Sequence, residues 1–280
     1  AGRLSDIVGR KTVLLLSSSL FIASAWGSGI AISSTEFVVY RVIGGLAVGA
    51  ASVIAPAYIS EIAPANIRGK LITIQQVAII FGLFSAFVSN YVVANMAGVS
   101  TAPFWWGYEA WRWMFWIELF PAALFLASLF FIPESPRFLV MKQSSKRALA
   151  ILQKLYGQEA GQRKLLEIEA SLVKKDRKPK FSDLIDKTRN RLRPIVWVGV
   201  GLATFQQLVG INVVFYYGAV LWQAVGFSEA DALLINVISG AVSIAGCVIT
   251  MFLIDRLGRK PFLIIGSIGM SISLAFMVFT

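Results

Sequence analysis

The chain has 280 residues, of which 57% are hydrophobic, and its mean hydropathy is +0.72. These values exclude a soluble globular protein and predict a membrane protein with several spans. The net charge is +11, with no histidine and one cysteine, so a Ser-His-Asp triad, a histidine-ligated metal site and an internal disulfide are excluded.

Seven apolar spans follow one another along the chain. They cover residues 12–33, 37–59, 70–94 and 112–132, a stretch within 194–228, residues 232–254, and a last stretch from 261 to 280. The chain opens on Ala1 in a polar, basic loop rather than on Met, and its last span runs to the final residue. We therefore expect an internal fragment of a longer protein.

The basic residues predict the orientation of these spans. Of the 26 Lys and Arg residues, only Arg41 and Arg112 fall outside the loops that alternate span counting places on one side. This is the positive-inside pattern, and it makes those loops cytoplasmic. It also explains the positive net charge without nucleic acid as a partner. We expect a multi-pass protein of a cell membrane, with the bacterial inner membrane preferred.

Polar side chains occur inside several spans. Gln76 follows Gln75 in the third span, and Glu118 in the fourth span calls for a partner or a proton. The second span has Arg41 near its external end and the glycine pair Gly45-x-x-x-Gly49, which most simply serves helix packing. The external loop before the fourth span has four tryptophans that indicate an interfacial belt first and a carbohydrate platform only distantly, namely Trp105, Trp106, Trp111 and Trp113.

Residues 142–193 are polar and separate two groups of spans. One amphipathic helix, capped by Ser145 and ended by Gly157, presents an apolar face of Ala148, Ile151, Leu152 and Leu155. A second presents Leu165, Ile168 and Leu172. The lysine-rich run 174–180 is typical of a solvated linker, with contact to anionic lipid headgroups as an addition. We expect a cytoplasmic helical insert between two membrane halves.

The fifth span contains an unusual polar stretch, with Gln206-Gln207 followed by Asn212. Unpaired amides are unfavourable in hydrocarbon, so an apolar span retains them when they face a partner helix or a wet cavity. Gly210 permits the helix to unwind and turn Gln207 and Asn212 towards one cavity, as in discontinuous transporter helices. Amides beside aromatic rings suit an uncharged, polyhydroxylated ligand. Hydrogen bonding between helices is the alternative.

A hexapeptide pattern occurs twice. Asp6-x-x-Gly9-Arg10-Lys11 and Asp255-x-x-Gly258-Arg259-Lys260 each precede an apolar span, and six spans separate them. Duplicated halves joined by a cytoplasmic linker are a transporter architecture in which the substrate sits between the halves.

Together these features resemble the sugar porter branch of the major facilitator superfamily, and most of all its bacterial glucose and xylose/proton symporters. The motifs are the loop 2–11, Arg41 with Gly44-Gly45, Pro56-x-Tyr58-x-x-Glu61-x-Ala63-Pro64-x-x-x-Arg68-Gly69, Pro133-Glu134-Ser135-Pro136-Arg137, Gln206-Gln207-x-x-Gly210-x-Asn212 and Asp255-Arg256-x-Gly258-Arg259-Lys260. The resemblance implies an all-α membrane fold with about seven of the family's twelve transmembrane helices. Residues 1–141 would be spans three to six of the N-terminal bundle, 142–193 the cytoplasmic linker, and 194–280 spans seven to nine in the C-terminal bundle.

The resemblance also implies residue roles. The sugar-binding positions are Gln76, Gln206, Gln207, Asn212 and Tyr216. Arg41 and Glu118 match the proton-coupling network, whose further acid would precede Ala1. A salt-bridge cluster that stabilises the outward-open state would comprise Arg3, Asp6, Arg10, Glu61, Arg68, Glu134, Arg137, Asp255 and Arg259, with helix-end capping as a compatible alternative. Ser243 stands where sugar porters usually have a sugar-binding Asn, and its hydroxyl reaches less far.

The expected function is transport of a hexose or pentose, of glucose or xylose type, by alternating access. Proton symport is favoured because Arg41 and Glu118 are both present, and we expect a monomer without cofactor or metal. The alternatives are a facilitative uniporter, a cyclitol or organic acid carrier of the same fold, and a sugar-sensing receptor. An anionic substrate would require an intramembrane Arg near Gln206, where the sequence has none. A membrane enzyme is the least favoured because no nucleophile–base pair is present.

Overall fold

The structure is a computed structural model that describes residues 2–173, 185–186, 191–192, 194–208 and 210–279. Within these ranges it does not describe the side chains at 65, 66, 173, 185, 186, 191, 206, 211, 212, 214, 254–257, 259 and 277–279. The described helices are α1 Gly2–Val8, α2 Arg10–Ile30, α3 Ser34–Ile62, α4 Ala65–Ala97, α5 Ala110–Ile117, α6 Leu119–Phe131, α7 Pro136–Met141, α8 Ser145–Tyr156, α9 Gln158–Val173, α10 Pro194–Leu208, α11 Ile211–Ala224, α12 Glu229–Leu257 and α13 Arg259–Phe279. Two short antiparallel strands, β1 Ile185–Asp186 and β2 Arg191–Leu192, lie within the segment expected to be a helical linker.

Five helical segments of the described part are long and apolar enough to cross a membrane. They are Arg10–Ile30, Ser34–Ile62, Ile67–Ala97, Ala110–Phe131 and Glu229–Leu253. The described side chains of α10 and α13 add the apolar stretches Pro194–Phe205 and Lys260–Phe276. The all-α membrane class predicted from composition is confirmed, and the predicted spans lie on helices α2 to α6 and α10 to α13.

The fifth predicted span is a broken helix. Helix α10 ends at Leu208 and α11 begins at Ile211, with Gly210 at φ 80° and ψ 8° between them. This left-handed conformation suits glycine because a Cβ would be close to the following carbonyl oxygen. The predicted interruption at Gly210 is therefore confirmed.

The fourth predicted span, expected as one helix over 112–132, is the continuous apolar segment Ala110–Phe131, in which the regular helical hydrogen bonding is interrupted at Glu118. Helix α5 ends at Ile117 and α6 begins at Leu119, while the Glu118 amide donates to Phe115 O at 3.1 Å. Pro121 explains the interruption, because it has no N–H to donate to the carbonyl of Ile117. Glu118 therefore lies at a helix junction inside the membrane span.

Two local predictions at the cytoplasmic side were wrong. Residues 2–8, expected as a loop, form α1, which ends where Gly9 takes a φ of 103°. Ser145 does not cap α8: Ser144 occupies the N-cap position, and the Ser145 hydroxyl instead donates to Glu169 at 2.9 Å. The predicted end at Gly157, with φ 85°, is confirmed.

The insert helices α8 and α9 pack on each other and against the membrane part. Their shared core contains Ala148, Leu152 and Leu165, which agrees with the predicted apolar faces. The Tyr156 hydroxyl donates to Ile62 O at 3.1 Å, and this bond joins the end of α8 to the cytoplasmic end of α3.

The first membrane half is built around α2. It packs against α3, α5 and α6, with a core of Val13, Leu14, Ile54 and Leu129. Its external end is held by Arg112, whose Nη1 donates to Gly29 O at 2.8 Å and to Ala31 O at 2.9 Å. Because Gly29 is in the last turn of α2 and Ala31 is its C-cap residue, the guanidinium caps that helix. We call this contact the Arg112 brace.

Candidate functional site

The two halves meet where α4 passes α12. A Cβ on Gly240 would lie 3.1 Å from the rings of Phe84 and Phe87, which is a tight contact, so the glycine favours this close approach. Phe87 also stacks on Phe215 of α11, with ring centroids 6.3 Å apart. This contact forms the middle of the described interface between the halves.

A cavity of 560 Å³ lies between the core of the first half and α11. Arg41 and Glu118 line it from the first half, and Tyr216 lines it from the second. Arg41 Nη1 lies 3.9 Å from Glu118 Oε2, each side chain is 48% exposed, and the guanidinium stands over the Phe115 ring at 5.1 Å. Both side chains border the cavity and are too far apart for a hydrogen bond, so they have room to move relative to each other.

A smaller cavity of 290 Å³ lies between the halves, on the side predicted to be external. Glu118 lines this cavity as well, together with Asn90, Ser100, Gln223 and Glu229. Glu229 Oε1 accepts a hydrogen bond from the Ser100 amide at 3.1 Å. Sequence reasoning missed Asn90, Gln223 and Glu229, although a polar residue at the external end of three predicted spans was a visible signal.

The predicted sugar-binding residues are only partly brought together. Tyr216 lines the larger cavity, whereas Gln76 and Gln207 are exposed and line neither of the two cavities described above. The hydroxyl of Ser243 donates to Ser239 O at 2.8 Å, within its own helix. The side chains of Gln206 and Asn212 lie outside the described part.

The predicted cytoplasmic charges form a cluster at the start of α2. Arg10, which is 7% exposed, pairs with Asp6 at 2.8 Å and with Glu61 at 3.2 Å. Glu134 Oε1 accepts from the backbone amides of Arg10 and Lys11 at 3.0 and 3.1 Å, which places a negative charge at the N-terminus of α2. All these contacts lie within the first half and agree with helix-end capping.

The remaining predicted charges contribute less to the cluster in the described structure. Arg3, Arg68 and Arg137 form no ion pair with a described carboxylate, and Arg68 Nη2 donates to Ala63 O at 3.3 Å. The side chains of Asp255 and Arg259 lie outside the described part. Among described residues, no group of three or more His, Cys, Asp or Glu could hold a metal ion.

The predicted tryptophan cluster is present at the external surface. The bridge between Pro103 and Glu109 closes a hairpin, in which Trp105 and Trp106 each approach Trp113 with ring centroids 5.6 Å apart. Trp106 is 87% exposed. The interfacial-belt interpretation stays a prediction.

Comparison with known proteins identifies the family. Residues 1–280 match the family described as "Sugar (and other) transporter". The chain belongs to this family. Sugar transporters are not enzymes, so the enzyme alternative is set aside.

Individual relatives support the family assignment. A glucose transport protein from Synechocystis sp. is 50% identical over 275 residues, which cover 98% of this chain and 58% of the relative. The D-xylose-proton symporter of Escherichia coli K12 is 37% identical over 295 residues, which cover 98% of this chain and 57% of the relative. The chain thus spans somewhat over half the length of these curated relatives.

Solved structures confirm the fold. A partially occluded, inward-open structure of the xylose transporter XylE from E. coli matches with a TM-score of 0.80 and 36% identity, covering 96% of this chain and 61% of that one. XylE bound to 6-bromo-6-deoxy-D-glucose, described as a major facilitator superfamily proton:xylose symporter, matches with a TM-score of 0.74, covering 93% of this chain and 56% of that one. The chain therefore has the major facilitator superfamily fold.

Proposed function

We propose that the protein moves a hexose or pentose across the membrane by alternating access, as a proton symporter. The observation that supports this most is the larger cavity, where the Arg41–Glu118 pair of one half faces Tyr216 of the other. Ionisable residues inside membrane spans mark ion pathways and proton relays, and broken helices between two halves mark substrate sites. The relatives named as glucose and xylose-proton transporters support the substrate class.

In this proposal the sugar is bound by neutral groups of both halves. Gln206, Gln207, Asn212 and Tyr216 approach it from the broken helix, Gln76 approaches it from α4, and Ser243 makes at most a lesser contact. Each amide–hydroxyl bond contributes roughly 0.5–1.5 kcal/mol, so several together hold the sugar and still release it. The segment 142–193 joins the halves while they rock.

Proton coupling in this proposal uses the Arg41–Glu118 pair. Protonation of Glu118 would remove the charge that attracts Arg41, and the pair would separate. At 3.9 Å the pair is longer than a hydrogen-bonded ion pair and both side chains border the larger cavity, so they have room to move apart once the attraction is removed. The pair therefore responds readily to a proton and to movement of the halves.

The test uses the full-length protein in proteoliposomes. Sugar added outside should alkalinise the external medium, and Glu118→Gln should abolish this signal while sugar counterflow continues. Glu109→Gln, an acid in the hairpin at the external end of α5, is the matched control and should leave both signals unchanged. Uptake of sugar that is indifferent to a proton gradient would instead establish a uniporter.

Sugar recognition is tested separately. Gln207→Ala should reduce sugar affinity at least tenfold, as expected when a hydrogen-bonding group of a polar site is removed. Gln153→Ala, on the cytoplasmic helix α8, serves as the control. Unchanged transport kinetics in Gln207→Ala would remove this residue from the site.

A further inference from the structure

We propose that Glu229 and the backbone amide of Ser100 form an external latch, a contact between the halves that must open before sugar enters from outside. The proposal rests on the proposed transport function. It adds Glu229 as a positioning residue that sets the balance between the outward-open and outward-closed states. The latch borders the smaller cavity, so it stands between the exterior and Glu118.

The latch joins elements that belong to different halves. Glu229 is in the first turn of α12, and Ser100 follows Gly98, whose φ of 90° ends α4. An acid at this position ordinarily interacts with the amides of its own helix, yet its carboxylate accepts from an amide of the other half. The contact therefore adds attraction between the halves that helix capping alone does not require.

The latch is also connected to the site inside the first half. The carbonyl of Ser100 accepts from the Trp111 amide at 2.9 Å, which ties the latch loop to α5. Helix α5 ends at the Glu118 junction. Opening of the latch therefore acts on the helix next to the Arg41–Glu118 pair.

The geometry of α12 makes the latch sensitive to rocking. Gly240, where α12 is closest to α4, lies about 16 Å along the helix from Glu229, at 1.5 Å per residue. If the halves rotate about this contact by roughly 10–15°, which is typical of rigid-body transitions, the external end moves by about 3–4 Å. This movement exceeds the tolerance of a hydrogen bond of 3.1 Å, so the outward-open state has lost the latch.

The balance between the outward-open and outward-closed states is measured with a reporter cysteine in the smaller cavity next to the latch. Gln223, which lines the smaller cavity, is changed to Cys in a background that has Cys247→Ser and no other cysteine. The rate of its modification by a membrane-impermeant thiol reagent, added outside, reports opening of the external side. Loss of one charge-assisted hydrogen bond from a partly exposed group corresponds to about a fivefold change in the equilibrium.

We expect Glu229→Ala to raise the modification rate about fivefold, and Glu229→Gln, which retains an acceptor oxygen, to give an intermediate rate. Asp231→Asn is the matched control, because Asp231 lies in the same turn and bonds Ser228 of its own half at 2.6 Å. Equal rates in Glu229→Ala, Glu229→Gln and the parent would overturn the latch. So would a rise in Asp231→Asn as large as that in Glu229→Ala, because the effect would then be general to acids of this turn.

The readout keeps the two proposals apart. If the parent takes up no sugar but Glu229→Ala still raises reactivity, the latch is supported and the proposed function fails. If the parent transports sugar and Glu229→Ala leaves reactivity unchanged, only the latch is overturned. The external half-saturation concentration of sugar should fall in Glu229→Ala, because more molecules are already open to the outside.

Discussion

Replacement of Arg10 by Ala should strongly destabilise the first half. Arg10 is 7% exposed and the Glu61 side chain 13% exposed, so the substitution leaves a nearly buried carboxylate without its cation. Removal of one partner from a buried ion pair is destabilising by about 3–5 kcal/mol. The contact with Asp6 adds little, because the Asp6 side chain is 59% exposed. The Ser135 hydroxyl remains bonded to Glu61 but does not neutralise it.

The effect is measured as the free energy of unfolding in mixed micelles titrated with SDS and followed by tryptophan fluorescence. Arg10→Lys should be destabilising by roughly 1–2 kcal/mol, because an ammonium keeps the charge and loses the two-point contact with Glu61. Adding Glu61→Gln to Arg10→Ala should raise the free energy of unfolding again by about 2 kcal/mol, since the side chain at position 61 is then neutral. A loss below about 1 kcal/mol in Arg10→Ala, or a double variant no more stable than the single one, would refute this reasoning.

Three further substitutions test other parts of the structure, the first two by the same unfolding measurement and the third by sugar uptake. Gly210→Ala should lower the free energy of unfolding by about 1–2 kcal/mol, because residue 210 has φ 80°. The control Gly201→Ala, within α10, should leave this free energy unchanged or raise it. Leu152→Ala should lower the free energy of unfolding of the insert by about 2–5 kcal/mol, because this side chain is 1% exposed. Limited proteolysis of the variant should then cleave α8 first. Gly240→Leu should separate α4 from α12, because even a Cβ would lie 3.1 Å from two phenylalanine rings. Sugar uptake should then fall at least tenfold while the protein stays folded. Normal uptake in Gly240→Leu would show that this contact is not required.

The membrane architecture was predictable because it depends on patterns that extend over many residues. Long apolar runs and the placement of basic loops predicted the spans. A single glycine beside polar residues predicted the break at Gly210. The pairing of α8 with α9 followed from their apolar faces, which meet at Ala148 and Leu165. These features depend on hydrophobic periodicity and on composition, both of which can be read directly from a sequence.

Other features depend on tertiary contacts and were missed. The first loop is helical, and Arg10 folds back so that its Nη1 donates to Ser5 O at 3.0 Å, an arrangement that no local pattern indicates. The local interruption of helical hydrogen bonding at Glu118, inside the correctly predicted span, follows from Pro121, whose effect an apolar count overlooks. Ser145 bonds Glu169 instead of capping its helix, because α9 lies alongside. The latch pair, Ser100 and Glu229, is far apart in sequence and comes together only when the halves meet.

The Arg112 brace has a practical consequence for watching the protein work. Because it fixes the last turn of α2 to α5, the external ends of these helices form one rigid unit. A donor and an acceptor dye attached at Ile32, which is 90% exposed, and at Trp106 should show constant energy transfer throughout the transport cycle. Energy transfer between dyes at Ile32 and at Phe227, which lies in the other half, should fluctuate during the cycle. The first pair thus supplies an internal ruler against which single-molecule trajectories of the second are calibrated.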